Sequence, residues 1–525
     1  MMFEDFDIKQ RDKYYLIFIA IFSTILVGYY INFNNMIGVS CSDVYVYLLN
    51  ALYYTGTNIH STGNIYLSPL ICFLTSIFFM FGFVDKLSIF IVTGVFAIIG
   101  NIGCYLLFKK YFDDTLSLTG TILYSTFSLY LTWLANGTLD IPATGIIIWI
   151  ALFTVIAIKE NPKFYAYVIP LIMIGFFTRY TVILTIPAFL LYYVLEKGFT
   201  IDSEDLKYIK KGIIFAVLLG IIILGILLIM GHGQFAAGSQ ISNGIIGKKG
   251  SDGDPAYNPE VGYYVVNLPN FISNSHTVFD GNPVLENPTI LSWTIFVILI
   301  IGAGLWLYER EFKLEKKDII PAVLVLIAII TYTRISSVIT TLLILISLYL
   351  IGKDSPHKDG YFMLAWIFSN LIFLSYYEIK VNRYIIPTFP ALIFFVLSAI
   401  NLIHKHVKIN KNIIPILLIA LFIIQGFAFT ATFEPTNQYS ATEEISQYII
   451  DHDPDYKDKL IGVYNIRPYS WWLGENTVGI PSGSQKTIDS SNVSYYISNQ
   501  KLDNLTNYTE ITNIDKFYLY NKTSV

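Results

Sequence analysis

Long apolar runs, each closed by a short polar or charged stretch, follow one another from residue 14 to residue 431. A helix needs about 17–25 apolar residues to cross a bilayer. On that length the pattern predicts spans near 14–32, 87–107, 115–134, 141–158, 164–177, 181–195, 212–231, 289–308, 319–333, 335–352, 361–377, 384–403 and 413–431. The runs 164–177 and 319–333 are short and imply tilt or local thinning of the bilayer. One further run, 66–84, is ambiguous, and if it spans, every later loop changes sides.

The placement of lysine and arginine decides between the two topologies, because cytoplasmic loops carry the excess of both. With 66–84 left out of the spans, one side collects Lys9, Arg11, Lys13, Lys109, Lys110, Lys159, Lys163, Lys197, Lys207, Lys210, Lys211, Arg310, Lys313, Lys316, Lys317, Lys353, Lys358, Lys405, Lys408 and Lys411. The other side keeps Lys86, Arg179, Lys248, Lys249, Arg334, Lys380 and Arg383. Counting 66–84 as a span largely erases this bias. The segment is therefore expected to be an interfacial or re-entrant helix in a long first external loop. That gives about 13 transmembrane helices in residues 1–431, with the N-terminus cytoplasmic and the C-terminus external in a multi-pass protein of the cell membrane.

Composition agrees. The chain is 54% hydrophobic and 14% charged, against about 25% charged in soluble domains. A net charge of −4 gives no reason to expect a nucleic-acid partner. The three cysteines are Cys41, Cys72 and Cys104, so the tail contains no disulfide framework. The opening "MMFEDFDIKQRDK" leads into an apolar run without a small-residue cleavage site, which predicts a retained first helix.

Three external regions follow: 33–86, 232–288 and the tail 432–525. The second is rich in Gly, Asn and Ser, which predicts mobility, and its "SDGDP" (Asp252, Asp254) reads as a turn rather than a cation site. The tail opens on an amphipathic helix ("SATEEISQYII") and continues with strand-like runs ("KLIGVYN", "VSYYIS", "KFYLYN"). It is expected to form a small α/β domain. Within it, "WWLGEN" (471–476) lacks the aspartate that follows the paired tryptophans of oligosaccharyltransferases and reads as a strand and turn.

Charged residues at membrane depth are costly, so a function is the default reading for them. In this topology they gather at external helix ends: Asp43 in "GVSCSDVYVY", Asp140 in "NGTLDIPA", Arg179 in "FTRYT", Arg334 in "TYTRIS", and Lys380 and Arg383 in "EIKVNRYIIPTFP". Plainer roles compete. Asp43 (with Ser40 and Ser42) and Asp140 suit helix N-caps, the arginines suit snorkelling anchors, and the lone His60 suits a solvated loop.

The stretch "NRYIIPTFP" resembles the Arg-Tyr-x-x-Pro-x-x-Pro pattern of the glycosyltransferase C superfamily, in the branch of protein O-mannosyltransferases and lipid A aminoarabinose transferases. An acid in the first external loop (Asp43), then "NIYLSPL", then a second acid opening a helix ("LDIPATGIIIW", Asp140) match that branch in order. Two departures stand out: Val44 follows the first acid where many members have another acid, and Arg179 stands where lysine is frequent.

The resemblance implies a sugar donor on a polyprenyl phosphate and an acceptor hydroxyl on protein, lipid or glycan, with membrane lipid around the site. Transfer would proceed with inversion. Asp43 is expected to act as general base, free of any salt-bridge partner and strengthened by burial beside Tyr45 and Tyr47. Arg179, Arg334, Lys380 and Arg383 would neutralise the lipid phosphate, Asp140 would orient the acceptor or a basic side chain, and Tyr45, His60 and Tyr384 would line the substrate site. No cofactor is certain, and a divalent cation stays open. An oligosaccharide ligase and a flippase or transporter of polyprenyl-linked lipids remain alternatives; the almost charge-free helix centres disfavour the flippase.

Overall fold

A computed structural model describes residues 10–57, 68–229, 257–279, 282–285, 287–309, 318–332, 334–407, 409–432, 437 and 439–523. His60, Asp252 and Asp254 lie outside the described residues, as do residues 230–256, which include the start of the segment 232–288. Eight described helices are long and apolar enough to cross a membrane: Gln10–Ile37, Leu87–Lys109, Asp140–Lys159, Tyr180–Lys197, Ser203–Ile226, Ile290–Glu309, Asn382–His406 and Ile413–Thr432. Pro69–Met80, Pro162–Thr178, Ile319–Thr331 and Ser337–Gly352 are apolar but shorter.

The chain begins with α1 (Gln10–Ile37), α2 (Ser42–Tyr53), α3 (Pro69–Met80), α4 (Leu87–Lys109), α5 (Asp114–Thr126) and α6 (Ser128–Thr132). Next come α7 (Asp140–Lys159), α8 (Tyr165–Thr178), α9 (Ile186–Lys197) and α10 (Ser203–Ile229). The helices α4 and α7 meet at Gly100 and Gly145, where a Cβ on Gly100 would stand 2.9 Å from Gly145 Cα. Small residues at such a crossing let two backbones approach closely in a bilayer.

The predicted span 115–134 is two helices. α5 stops at Phe127, whose ψ of 133° leaves the helical region, and α6 restarts at Ser128. α5 is buried from Thr115 to Thr126 and rich in Ser and Thr. Its hydroxyls are satisfied by carbonyls one turn back, as Thr121 to Ser117 at 2.9 Å and Thr126 to Ile122 at 2.6 Å.

Opposite ends of the helices carry different chemistry. At one end a belt of ion pairs ties helix termini together: Lys109 to Asp12 and Asp114, Lys110 to Glu160, Lys159 to Asp359, Lys197 to Asp205, and Lys411 to Asp113. The other end bears the tail. The 12-residue α3 is only about 18 Å long at 1.5 Å per residue. Ser68 just before it accepts the Tyr180 N–H at 3.1 Å, and Phe79 near its end packs on Trp471 of the tail, 6.0 Å between ring centroids. Both ends of α3 therefore contact elements of the tail-bearing end.

Part of the segment 232–288 is regular. Two short helices (Tyr263–Val266 and Leu268–Ser273) lead into a hairpin of β1 (Ser275–Phe279) and β2 (Asn282–Leu285). Tyr264 donates its hydroxyl to the Val381 carbonyl at 3.1 Å, tying this region to the segment that carries Arg383.

The tail builds a five-stranded sheet in the order β4-β3-β5-β7-β6, from β3 (Ile461–Val463), β4 (Thr477–Gly479), β5 (Tyr495–Ser498), β6 (Tyr508–Ile514) and β7 (Phe517–Lys522). β3 runs parallel to β4 and β5, while β7 is antiparallel to β5 and β6. All three β3 residues are buried, as a central parallel strand requires. The parallel β3–β4 step needs a crossover, and the helix Ile466–Leu473 supplies it. That corrects the strand-and-turn reading of "WWLGEN": both tryptophans lie on this helix, and the turn begins only at Gly474, with φ +84°.

Candidate active site

Four charged side chains from distant parts of the chain converge at the tail-bearing end. Asp43 sits in the first turn of α2 and Asp140 is the first residue of α7. Neither is an N-cap; Cys41 and Leu139 hold those positions. Arg179 closes α8 in extended conformation, φ −159° and ψ 126°. Arg383 lies in the 3-10 segment Asn382–Thr388. Pro387 and Pro390 explain that segment: Pro387 offers no N–H and its ring opposes a regular α-turn back to Arg383, whereas Pro390 suits the first turn of the following helix.

Arg383 is the centre of the group. Its Nη2 donates to Asp43 Oδ2 at 2.6 Å, its Nη1 to Cys41 Sγ at 3.2 Å, and its Nε stands 3.0 Å from Asp140 Oδ2 without hydrogen-bond alignment. Arg179 Nη1 donates to the same Asp140 oxygen at 2.9 Å, and its Nε to Thr181 Oγ1 at 3.1 Å. Aromatic faces carry both cations. Arg383 lies 4.7 Å over Trp133 and Arg179 5.0 Å over Tyr384, in the cation–π range. The side chains of Asp140 and Arg383 are 1% and 5% exposed, but Asp43 keeps 36%. Asp43 is thus the carboxylate open to an incoming group.

The backbone around the acids is tightly built. The turn before α7 takes positive φ at Ala135 (51°) and Gly137 (89°). A Cβ on Gly137 would meet Val44 Cγ1 at 2.7 Å, so α2 rests directly on the turn that presents Asp140. Asn34 at the end of α1 holds the same turn through the Leu134 and Ala135 carbonyls, at 2.9 and 3.1 Å.

Several expectations change. Asp43 is not free of a partner; Arg383, 340 residues away, pairs with it. Tyr45 does not line the site. Helix periodicity puts Tyr47, at i+4, on the face of Asp43 and turns Tyr45 away, where its buried ring meets Tyr439 edge-on at 5.5 Å. Lys380 is buried and turned inwards, donating to the carbonyls of Leu374, Ser375 and Tyr377. It closes the C-terminus of the helix Lys358–Tyr376 rather than facing a ligand, and burial pushes its ammonium down to about 8. Arg334 is exposed in the turn between Ile319–Thr331 and Ser337–Gly352, outside the group. Tyr384 lies between the two arginines, its ring 5.0 Å from Arg179 and 5.7 Å from Arg383.

Sequence reasoning passed over Trp133 and Cys41 as members of the group and did not separate Tyr47, which faces it, from Tyr45, which does not. The i, i+4 spacing of Asp43 and Tyr47 was a usable signal; nothing local marked Trp133. Among the described residues, no three potential metal ligands come together.

Residues 67–226 match the family model described as dolichyl-phosphate-mannose-protein mannosyltransferase. This segment holds Asp140 and Arg179 but stops short of Asp43 and Arg383. No curated protein matches the chain in sequence. In fold, the chain is similar to ArnT from Cupriavidus metallidurans bound to undecaprenyl phosphate, at 10% identity and a TM-score of 0.59, covering 96% of this chain and 97% of that one. The apo state of that ArnT matches at 10% identity and a TM-score of 0.50, over 95% and 97%. An oligosaccharyltransferase of Archaeoglobus fulgidus matches at 11% identity and a TM-score of 0.48, over 92% and 67%. The family match and the shared ArnT fold bear out the resemblance to the glycosyltransferase C superfamily.

Proposed function

We propose that the chain is a multi-pass membrane glycosyltransferase that moves a sugar from a polyprenyl phosphate to an acceptor hydroxyl at the external face, with inversion. The observation that carries this reading is the pairing of two carboxylates with two arginines at one end of the helices, Asp43 alone being open. The undecaprenyl phosphate of the ArnT structure supports a lipid phosphate as the leaving group here.

The acceptor oxygen attacks the anomeric carbon, the bond from that carbon to the phosphate oxygen breaks, and its electron pair leaves on the lipid phosphate. Asp43 takes the acceptor's proton. Arg383 aims the Asp43 carboxylate and holds it next to a cationic surface. A phosphate is a good leaving group and needs charge neutralisation more than protonation. Guanidinium forks suit it, and Arg179 Nη2 has no hydrogen bond among the described residues. Asp140 keeps both arginines in register.

The test is transfer from a panel of labelled polyprenyl-phosphate sugars in purified membranes, for the wild type and Asp43→Asn. Loss of a general base is expected to cost about 10²–10⁴ in rate. Transfer by the wild type but not by a stably folded Asp43→Asn supports the assignment. Equal transfer moves the base to Asp140, and binding of donor without any transfer favours the flippase.

A further inference from the structure

The helix that carries Asp43 is held from behind by the tail. α2 is 12 residues long and has no side-chain cap at its N-terminus. Helices shorter than about 12–15 residues are marginal alone in water, so packing must decide where α2 sits. One face bears Asp43 and Tyr47 against the arginine group. The other bears Tyr45, fully buried against the tail's Tyr439. α2 also packs on the tail helix Ile466–Leu473 that carries Trp472, and among the described residues the buried Tyr45 hydroxyl and Trp472 indole N–H have no hydrogen bond of standard geometry.

Further contacts hold the tail in that position. Lys86, just before α4, pairs with Glu443 at 3.4 Å and lies 5.6 Å over the Trp472 ring. Asn437 donates to the Ile37 carbonyl at 2.7 Å, beside Gly38. There φ is +93° and a Cβ would come within 2.8 Å of Asn437 Nδ2. The tail therefore clamps both the entry to α2 and its outer face.

We infer that Tyr45 and Trp472 are positioning residues: the tail sets the angle of α2 and thereby brings Asp43 onto Arg383. This rests on the proposed role of Asp43, but the geometric part stands apart from it. Cys41, the N-cap of α2, is 4% exposed and bonded to Arg383, whereas Cys72 and Cys104 are fully buried. Its thiol reports on the seating of α2 whatever the protein catalyses.

The experiment follows the rate of Cys41 alkylation by a small maleimide in detergent-purified full-length protein, with Cys72 and Cys104 replaced by serine. Trp472→Ala and Tyr45→Ala are expected to speed labelling by about tenfold or more, as local opening exposes the thiol. Lys86→Met, a milder cut of the same contact, is expected to move it in the same direction. Tyr45→Phe, which keeps the ring and its packing and removes only the hydroxyl, is expected to stay near the parent. In transfer assays the alanine variants should lose kcat with donor KM little changed. Labelling at the parental rate in Trp472→Ala and Lys86→Met overturns the inference, even if Tyr45→Ala fails to fold. Faster labelling in a protein that transfers no sugar at all would retain the positioning role and overturn the glycosyltransferase reading instead.

Discussion

Arg383 Nη2 lies 2.6 Å from Asp43 Oδ2, across 340 residues of chain. Through Nε the same guanidinium stands against Asp140, so one side chain couples the open carboxylate to the buried one. Burying such charges is costly unless they are paired. A cluster of buried, mutually paired acids and arginines is a candidate functional site.

Arg383→Met should be the most damaging single change at the site. It leaves Asp140 with Arg179 alone and removes the partner of Asp43; breaking a buried pair costs about 3–5 kcal/mol. Arg383→Lys keeps the charge but cannot reach Asp43, Cys41 and Asp140 at once. Thermal unfolding in detergent should place Lys between Met and wild type, with sugar transfer depressed in both. Wild-type transfer by Arg383→Lys would show that the fork is dispensable.

Gly137→Ala tests the turn on which α2 rests. The new methyl would press on Val44 in a backbone of φ +89°, and overpacking costs about 1–3 kcal/mol. We expect a lower unfolding temperature together with reduced transfer. An alanine that leaves both unchanged would mean that α2 can shift without consequence for Asp43.

Lys380 predicts a pH effect on stability and none on the chemistry. Burial lowers its folded-state value to about 8, against about 10.4 for a free lysine. Between those values the unfolded chain binds more protons, so stability rises with pH across that window and falls back as pH drops through about 8. Lys380→Met should abolish this rise. It should also lower stability at every pH, because three helix-end carbonyls lose their donor. An unchanged pH slope in the variant would contradict the burial argument.

Arg334 supplies the contrast. Exposed and without a contact to the four charges among the described residues, it should tolerate Arg334→Ala with transfer and stability close to wild type, as surface substitutions generally do within about 0.5 kcal/mol. A large loss of donor affinity would put Arg334 back in the phosphate site.

The apolar runs, the charges at their ends and three of the tail's five strands were readable along the chain, since hydropathy and periodicity are local properties. So was the short list from which the site is drawn: Asp43, Asp140, Arg179, Arg383 and Tyr384 came from charge at membrane depth and from one motif. Lys380 met the same criterion and is spent on helix-end carbonyls, and Arg334 met it and lies exposed in a turn. An ammonium that caps a helix and one that meets a ligand look alike until the carbonyls around it are known. The break at Phe127 and the crossover helix under Trp471 and Trp472 were hidden for a similar reason: burial and sheet pairing override local preference.

By itself, then, the sequence determined that this chain builds a bundle of apolar helices with acids and bases gathered at one end and a mixed domain after it. Tertiary structure alone decided which acid meets which base, because the partners of Asp43 and Asp140 lie on segments that only folding brings together. It also decided which face of α2 looks into the site. That choice follows from two contacts on opposite sides of one short helix, Arg383 on Asp43 and the tail's aromatic residues on Tyr45, and neither leaves a trace in the ten residues around them.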